Sequence, residues 1–551
     1  MSLERADKEP LAPLQRPLPR PGKLLMAEGT NEKRVSPKGS PVRSVLANWA
    51  GEFVFIVSGF ILPRLINDQI GQAHLGIWDF CWATVAYLTL LSAGLASSVN
   101  RYVAWYKAVG RWNDLNRACS ACACIFTAGG LVAVAITGVL AVGLPSFLPK
   151  AFAEFQSEVQ WVLLFLGLST TVMMWATVYH GVISGYQRYD LAVAIETGCH
   201  VAFVLATVGL LFLGYGLRQM AVAVLVSKAL EAGAKCLCAH RVCPQLSLSV
   251  RRVTLEAFRE VVAFGAKTFV GHIASLVTYQ GNSLVVGFFL GPASLAVYAR
   301  AMGLLRHANT GLFQFARVLI PMVSESHAKQ DEAEISRLVL VGTRYSLLLA
   351  VPLVMTLAIM ADPLMRLWMG KAYATTPLLP VLALGSLLPL VFIAPRMVLQ
   401  GINRHGLPEL GNLLAGVASI GLNLVLLSVF DMGLVSVAVC VGLCLSLANL
   451  VITPVMVARQ AKLPLGQFLR VIPGPVALTL PFGVWLLLCR YLWNQHDLIA
   501  LAAGLGGGSV ILLLMYWRSG LPKPLKSKIL SMIPLAGNRL PPEKAARDEV
   551  L

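Results

Sequence analysis

Apolar runs of about twenty residues, separated by short connections that gather the charges, recur along this chain, and no motif limits its fold as strongly. A helix of that length spans the roughly 30 Å hydrocarbon core of a bilayer, where a backbone must satisfy its own hydrogen bonds. Runs at about 44–66, 75–98, 118–143, 159–183, 191–213 and 219–238 give six crossings. Six more follow at about 260–288, 292–322, 338–361, 375–399, 408–430 and 434–457, and two at about 471–492 and 498–517. Composition excludes a soluble domain: 57% of residues are hydrophobic, 13% are charged, and the mean hydropathy is +0.70, where a soluble protein carries about a quarter charged residues. The expected fold is an all-α polytopic membrane protein of about fourteen transmembrane helices.

A net charge of +18 would suit nucleic acid, but its placement points elsewhere. Roughly thirty Lys and Arg fall in the tails and in alternate connections, and only about five in the opposite ones. Both termini are therefore expected on the cytoplasmic side, with no nucleic-acid partner. Residues 1–43, broken by Pro10, Pro13, Pro17, Pro19 and Pro21, read as a disordered basic tail without a cleavable signal. A second basic tail, 518–551, sets Lys523, Lys526 and Lys528 beside Ile529, Leu530 and Met532 and is expected to meet anionic lipid. Most of the eleven cysteines lie in or at the ends of apolar runs and read as small hydrophobes, neither disulfides nor a metal site.

An internal repeat organises the middle of the chain. Gly71-Gln-Ala-His-Leu75-Gly-Ile-Trp78 enters the second crossing, and Gly291-Pro-Ala-Ser-Leu295-Ala-Val-Tyr298 enters the eighth. The same offset of about 220 residues brings Asp114-Leu-Asn-Arg117 onto Glu334-Ile-Ser-Arg337. Further on, Gly185-Tyr-Gln-Arg188 has a counterpart in Gly401-Ile-Asn-Arg404. A repeat of six crossings gives two parallel halves related by a pseudo-two-fold axis along the membrane normal, as in transporters that rock about a central site. The expected divisions are an N-terminal six-helix bundle over 44–238, a linker over 239–259, a C-terminal six-helix bundle over 260–458, and two extra helices over 459–517.

Polar stripes mark a candidate site. Ala296, Arg300, Gly303, His307, Thr310 and Gln314 share one helical face, and Lys267, Gly271, Ser275, Thr278 and Asn282 form a matching stripe on the preceding crossing. Ionisable groups at bilayer depth cost at least a few kcal/mol each, so they signal function by default. Lys267, Arg300, Arg306 and His307 are the candidates for a cationic cavity, with Ser275, Thr278, Asn282, Thr310 and Gln314 available to hydroxyl-rich cargo. Glu52 lies about 13 Å past Arg43, near the midplane, and repeat register sets it opposite His272. These two and Asp79 are candidates for ion coupling, and Glu52 is also expected to pair with Lys267, Arg300 or Arg306. Glu196 and His200, one turn apart, read as a local pair. Arg101 to Lys107, with Arg111 and Trp112, reads as an interfacial helix.

Other chemistry is missing. There is no G-x-x-x-x-G-K-[ST] loop and no H-E-x-x-H, and the outward loops are short, the longest being about 144–158. No enzymatic activity and no organic cofactor is expected.

The stretch Ile70 to Trp78, Leu91-Ser-Ala-Gly-Leu95, Asn100-Arg101-Tyr102 and the Gly401 to Arg404 exit resemble bacterial polysaccharide flippases of the multidrug/oligosaccharidyl-lipid/polysaccharide (MOP) exporter superfamily. The resemblance covers about residues 43–458. It implies alternating-access transport of a polyprenyl-diphosphate-linked oligosaccharide across the bacterial inner membrane, with H+ or Na+ as a coupling ion rather than ATP. It also implies contact with membrane lipids, a polysaccharide polymerase and chain-length proteins. The alternative within the superfamily is a multidrug or cation antiporter, which calls for an acidic cavity.

Overall fold

The computed structural model describes residues 41–92, 95–254, 269, 271–520 and 526. The tail 1–40, the basic stretch around Lys523 and Lys528, and Lys267 lie outside the described residues. Helix α1, Pro41–Ile70, takes in the last three residues assigned to the first tail. It turns at Gly71 into α2, Gln72–Ala86, which tightens into a 3-10 turn over Tyr87–Ser92. There follow α3 (Leu95–Ala108), α4 (Trp112–Phe147), α5 (Gln156–Gly185), α6 (Tyr189–Phe212) and α7 (Leu217–Val242). The second half resumes at Gly271 and passes a π turn at Val277–Gly281 into α8, Asn282–Ala316, then α9 (Leu319–Ala328), α10 (Glu332–Ile359) and α11 (Ala361–Met369). Three short helices, α12 (Leu378–Gly385), α13 (Leu387–Val391) and α14 (Ile393–Gly401), precede α15 (Gly406–Ser428), α16 (Leu434–Gln460), α17 (Leu465–Leu469), α18 (Pro473–Leu492) and α19 (Asp497–Met515).

Among the described residues there is no strand, and eleven stretches are long and apolar enough to cross a membrane. The difference from the expected fourteen has three physical causes. Crossings seven and eight form one stretch, Gly271–Ala328, bent at Gly291. Helix α7 spans 26 residues, but Lys228, Glu231 and Lys235 lower its hydropathy. Crossing ten is interrupted at Ser386 and Phe392, where Pro389 and Pro395 each remove a backbone donor.

The repeat is visible in the backbone. Gly71 and Gly291 enter their crossings at φ of 98° and 82°, a left-handed conformation that glycine adopts without a Cβ penalty. Gly110 and Gln330 match at 69° and 58°, and so do Gln187 and Asn403 at 59° and 57°. A positive φ at a non-glycine residue is uncommon, so its recurrence in register means that the two halves use the same turns. Each matched helix start also carries an i,i+3 ion pair, Arg117 to Asp114 at 3.5 Å and Arg337 to Glu334 at 2.6 Å.

In the first half α5 packs on α3, α4 and α7, while α6 bridges α1 and α7. A buried charge network replaces the expected Glu196–His200 pair. Lys235 donates to Glu196 at 2.7 Å and to Glu231 at 2.8 Å, and Lys228 donates to Glu231 at 2.7 Å. His180 stands 3.2 Å from Glu196, and His200 turns away to Ser58 Oγ at 2.7 Å. Sequence spacing on α6 alone could not reveal this, because the stronger partner comes from α7. Cys119, Cys122 and Cys243 are buried free thiols in one apolar cluster with Val103, Phe126 and Val182.

The halves meet along α2 and α8, the repeat-related helices. At Gly76 a Cβ would stand 1.7 Å from the Pro292 carbonyl oxygen, so the backbones touch. At the ends away from the basic connections Gln72 donates to the Ala293 carbonyl at 2.9 Å, Trp368 Nε1 to Phe60 O at 2.8 Å, and Tyr373 Oη to Asn67 Oδ1 at 2.8 Å. Helix α18 packs on α10, α19 packs on α11, and the two pack on each other. Arg366 grips Asp497 through two bonds of 2.9 and 2.7 Å, and Arg490 pairs with Asp362.

Candidate functional site: an aromatic and basic cavity between the halves

Between the two halves lies a cavity of about 420 Å³, walled by α1, α2, α6, α8 and α11. The positioning logic begins with α8. Its bend at Gly291 re-aims the helix, and the four- and three-residue steps that follow place Arg300, Gly303 and His307 on the wall, with Arg306 beside them. From α2, Trp78, Asp79 and Trp82 face the same space, and α1 contributes Phe55, Ser58 and Gly59.

Arg300 is 9% exposed and donates through Nη2 to Asp79 Oδ1 at 2.5 Å. Two charges taken out of water need such a partner. The pair leaves capacity over, since Arg300 Nε and Asp79 Oδ2 are buried without a hydrogen bond among the described residues. Arg306 is different: its side chain is exposed while Leu304, Leu305 and Ala308 around it are buried. Among the described residues it has no hydrogen bond and no ion pair, and Asp79, already bonded to Arg300, acts on it only through space. Two guanidinium groups thus face one carboxylate on the wall, leaving an excess of positive charge.

His307 stacks on Phe60 with centroids 6.0 Å apart and lies against Gly59, where a Cβ would meet Nε2 at 3.5 Å. Glu52 is half-buried two turns from Gly59 on the same face of α1. It makes none of the expected bonds to Arg300 or Arg306, because Asp79 on the neighbouring helix is nearer to Arg300. Its charge acts instead on His307. His272 is exposed and stands 3.2 Å from Thr89 Oγ1, at the opposite end of the seam from the outer contacts.

The proposed hydroxyl partners lie elsewhere. Asn282 is fully buried: its Nδ2 donates to Thr278 O and Ser419 Oγ at 3.0 Å each, and its Oδ1 accepts from Asn423 at 2.8 Å. Thr278 is buried against Gly416, where a Cβ would meet its Oγ1 at 2.7 Å. Both therefore face α15 and join helices rather than lining the cavity. Ser275 and Gln314 are exposed and Thr310 is half-buried, all three outside the cavity wall.

Two features escaped the sequence. Trp78, Trp82 and Trp368 line the cavity together, though they come from positions as distant as α2 and α11. Arg396 on α14 bonds the Pro389 carbonyl at 3.2 Å and keeps a buried, unbonded Nε. An arginine seven residues after a proline inside an apolar run was the available signal. Arg396 and Arg306 both lie near enough to Tyr279 to act on it electrostatically.

Comparison with known proteins fits this architecture. Residues 107–376 match the profile of a family described as "Polysaccharide biosynthesis protein". The chain is 25% identical over 238 residues to the "Uncharacterized membrane protein EpsK" of Bacillus subtilis, covering 42% of this chain and 46% of that one. It is 23% identical over 202 residues to the "Probable low-salt glycan biosynthesis flippase Agl15" of Haloferax volcanii, covering 36% and 42%. The matched region is thus less than half the length of each relative. Among solved structures, the lipid II flippase MurJ in an inward closed conformation superposes with a TM-score of 0.65 at 12% identity, covering 86% of this chain and 99% of that one. An inward-facing multidrug resistance MATE family transporter of the MOP superfamily gives 0.59 at 12% identity, covering 79% and 97%. The profile match runs from the end of α3 through the α8 and α11 walls of the cavity, and the fold is shared with MurJ and MATE transporters, so the chain is a multi-pass membrane protein that resembles the polysaccharide biosynthesis family over its middle portion.

Proposed function

We propose that this protein is a flippase that carries a polyprenyl-diphosphate-linked oligosaccharide across the bacterial inner membrane, its two halves opening the central cavity to one leaflet and then the other. The observation that carries the reading is Arg306, a cation with no hydrogen bond or ion pair of its own among the described residues, beside the half-satisfied Arg300–Asp79 pair in a cavity walled by three tryptophans. A diphosphate leaving water needs cationic donors to replace its hydration, and guanidinium groups match phosphate oxygens in pairs. Tryptophan faces suit the C–H faces of sugar rings, so the wall offers both a charged and a flat apolar partner. The name of the Haloferax relative, a "Probable low-salt glycan biosynthesis flippase", points the same way. An antiporter of organic cations would find two guanidinium groups against one carboxylate on this wall, the wrong sign for its cargo. The concentration of Lys and Arg at one end of the helices supports cytoplasmic termini.

In proteoliposomes holding a fluorescent polyprenyl-diphosphate oligosaccharide, Arg306→Ala is expected to slow flipping about tenfold to a hundredfold, the range for losing one charge-assisted contact. Arg306→Lys should retain an intermediate rate. Undiminished flipping by a well-inserted Arg306→Ala protein would remove the assignment, and uptake of organic cations in its place would favour the antiporter.

A further inference from the structure

A second space opens away from the seam, between α6 and α7 in the first half. Toward the basic ends of the helices it is wide, about 1080 Å³, with Lys107, Arg188 and Arg241 on its wall. Deeper in it becomes an apolar groove of about 540 Å³. The two spaces lie on one continuous face. On α6 the lining residues Leu191, Ile195, Cys199, Ala202 and Ala206 advance in steps of three and four, and on α7 Cys238, Ala234, Leu230 and Ser227 do the same. From Leu191 to Leu210 the face runs about 28 Å, close to the hydrocarbon thickness of a bilayer leaflet pair. The charged residues of these helices do not line the groove, because Glu196, Glu231 and Lys235 are joined to one another. Ser227 spends its hydroxyl on the Cys199 carbonyl at 3.0 Å.

The wide end adds basic side chains to an apolar wall. Lys107 lies over the Tyr186 ring, 4.1 Å from its centroid. Arg188 is held by Asp190 through bonds of 3.0 and 3.2 Å. Arg241 is exposed and has no acidic partner among the described residues. Three cations against one carboxylate make this end a seat for an anion, and the apolar groove below it makes that anion the head of a lipid. The wide compartment, where these cations sit among mostly apolar residues, has about twice the volume of the groove, which suits a headgroup much larger than a phosphate. One more contact ties the cleft to transport: Phe203 lines both the groove and the central cavity.

We propose that the α6–α7 cleft is a waiting site for the lipid-linked glycan, its diphosphate at Lys107 and Arg241 and its prenyl chain in the groove, one aromatic side chain away from the transport cavity. This rests on the flippase reading for the identity of the lipid, while the binding site itself can be tested alone. The full-length protein, in phosphatidylcholine nanodiscs, is irradiated with a polyprenyl-diphosphate disaccharide carrying a diazirine in its chain, and the adducts are mapped by mass spectrometry. Adducts are expected on the peptides holding Ala202–Leu210 and Val222–Leu230, and unlabelled lipid of the same class should displace them where an equal excess of phosphatidylglycerol does not. Lys107→Gln with Arg241→Gln should lower their yield about tenfold, as expected for two lost charge-assisted contacts on an exposed wall, while Arg306→Ala leaves it unchanged. Should that double variant fail to elute as a single folded species, Leu230→Trp, at a side chain 62% exposed in the groove, should block the adducts by bulk alone. Equal displacement by phosphatidylglycerol would overturn the proposal in favour of ordinary bilayer lipid. Adducts confined to the central cavity would overturn it and leave the flippase reading standing, whereas cleft adducts in a protein that does not flip the lipid would keep the site and sink that reading.

Discussion

Asp79 and Arg300 show what a single residue pair decides here. Arg300 is buried and Asp79 half-buried, each belongs to a different half, and each is the other's principal counter-charge. Removing one partner leaves an uncompensated charge, which costs about 3–5 kcal/mol, whereas replacing both with apolar residues of similar volume is often neutral. Asp79→Leu and Arg300→Leu should therefore each lower the thermal midpoint of the purified protein, and the double variant should recover most of the loss. Additive losses in that cycle would show that the two groups are stabilised separately. Sequence placed both charges at depth but paired neither correctly, offering Glu52 to Arg300 instead. The repeat offset of about 220 sets Asp79 against Ala299, beside Arg300, yet that neighbourhood means contact only once α2 and α8 are known to pack along the pseudo-axis. Asn282 and Thr278 failed for a related reason, since a stripe on one helix does not say which neighbour it faces.

At the level of the helix, small residues set how closely the halves approach. Without a strong hydrophobic drive between helices in lipid, close backbone contact supplies much of the association. Gly76 meets the Pro292 carbonyl with no space for a side chain, and its repeat counterpart Ala296 is fully buried. Gly76→Ala is expected to destabilise the protein by about 1–3 kcal/mol through overpacking. Gly138, on α4, is the control: a Cβ there meets nothing within 4 Å, so Gly138→Ala should be neutral or stabilise by about 0.5–1 kcal/mol as a helix-interior alanine. Thermal unfolding of the two variants side by side checks both, and equal midpoints would show that the seam tolerates a methyl group. Helix existence and the repeated turns were legible because periodicity and glycine positions report local geometry. The breaks in crossing ten have a local cause in Pro389 and Pro395, but the charge network of α7 does not, since its satisfaction depends on α6.

Across the whole molecule, the two halves are tied most visibly at one end. Phe60 and Asn67 of α1 hold Trp368 and Tyr373 of the second half, and Arg64 Nη1 reaches the Trp368 carbonyl at 3.2 Å. These bonds close the central cavity on the side away from the basic connections, so the proposed transport by rocking would require them to break, with the α2–α8 contact as its pivot. A ligand or mutation can shift such an equilibrium only by its difference in free energy between the two states. Trp368→Ala removes one bond and a ring tilted against Phe60 with centroids 4.8 Å apart, contacts specific to the closed end. In a variant with the eleven native cysteines replaced, Gly59→Cys provides a reporter on the cavity wall, where its side chain meets only His307 at 3.5 Å. Adding Trp368→Ala should raise its labelling by a membrane-impermeant maleimide from the outer face by about tenfold, the effect of roughly 1.4 kcal/mol on a two-state equilibrium. Labelling from the basic face should fall or stay level. If outer labelling does not change in folded protein, the contacts around Trp368 are structural and the gate lies elsewhere; if it rises together with inner labelling, the helices have loosened rather than switched.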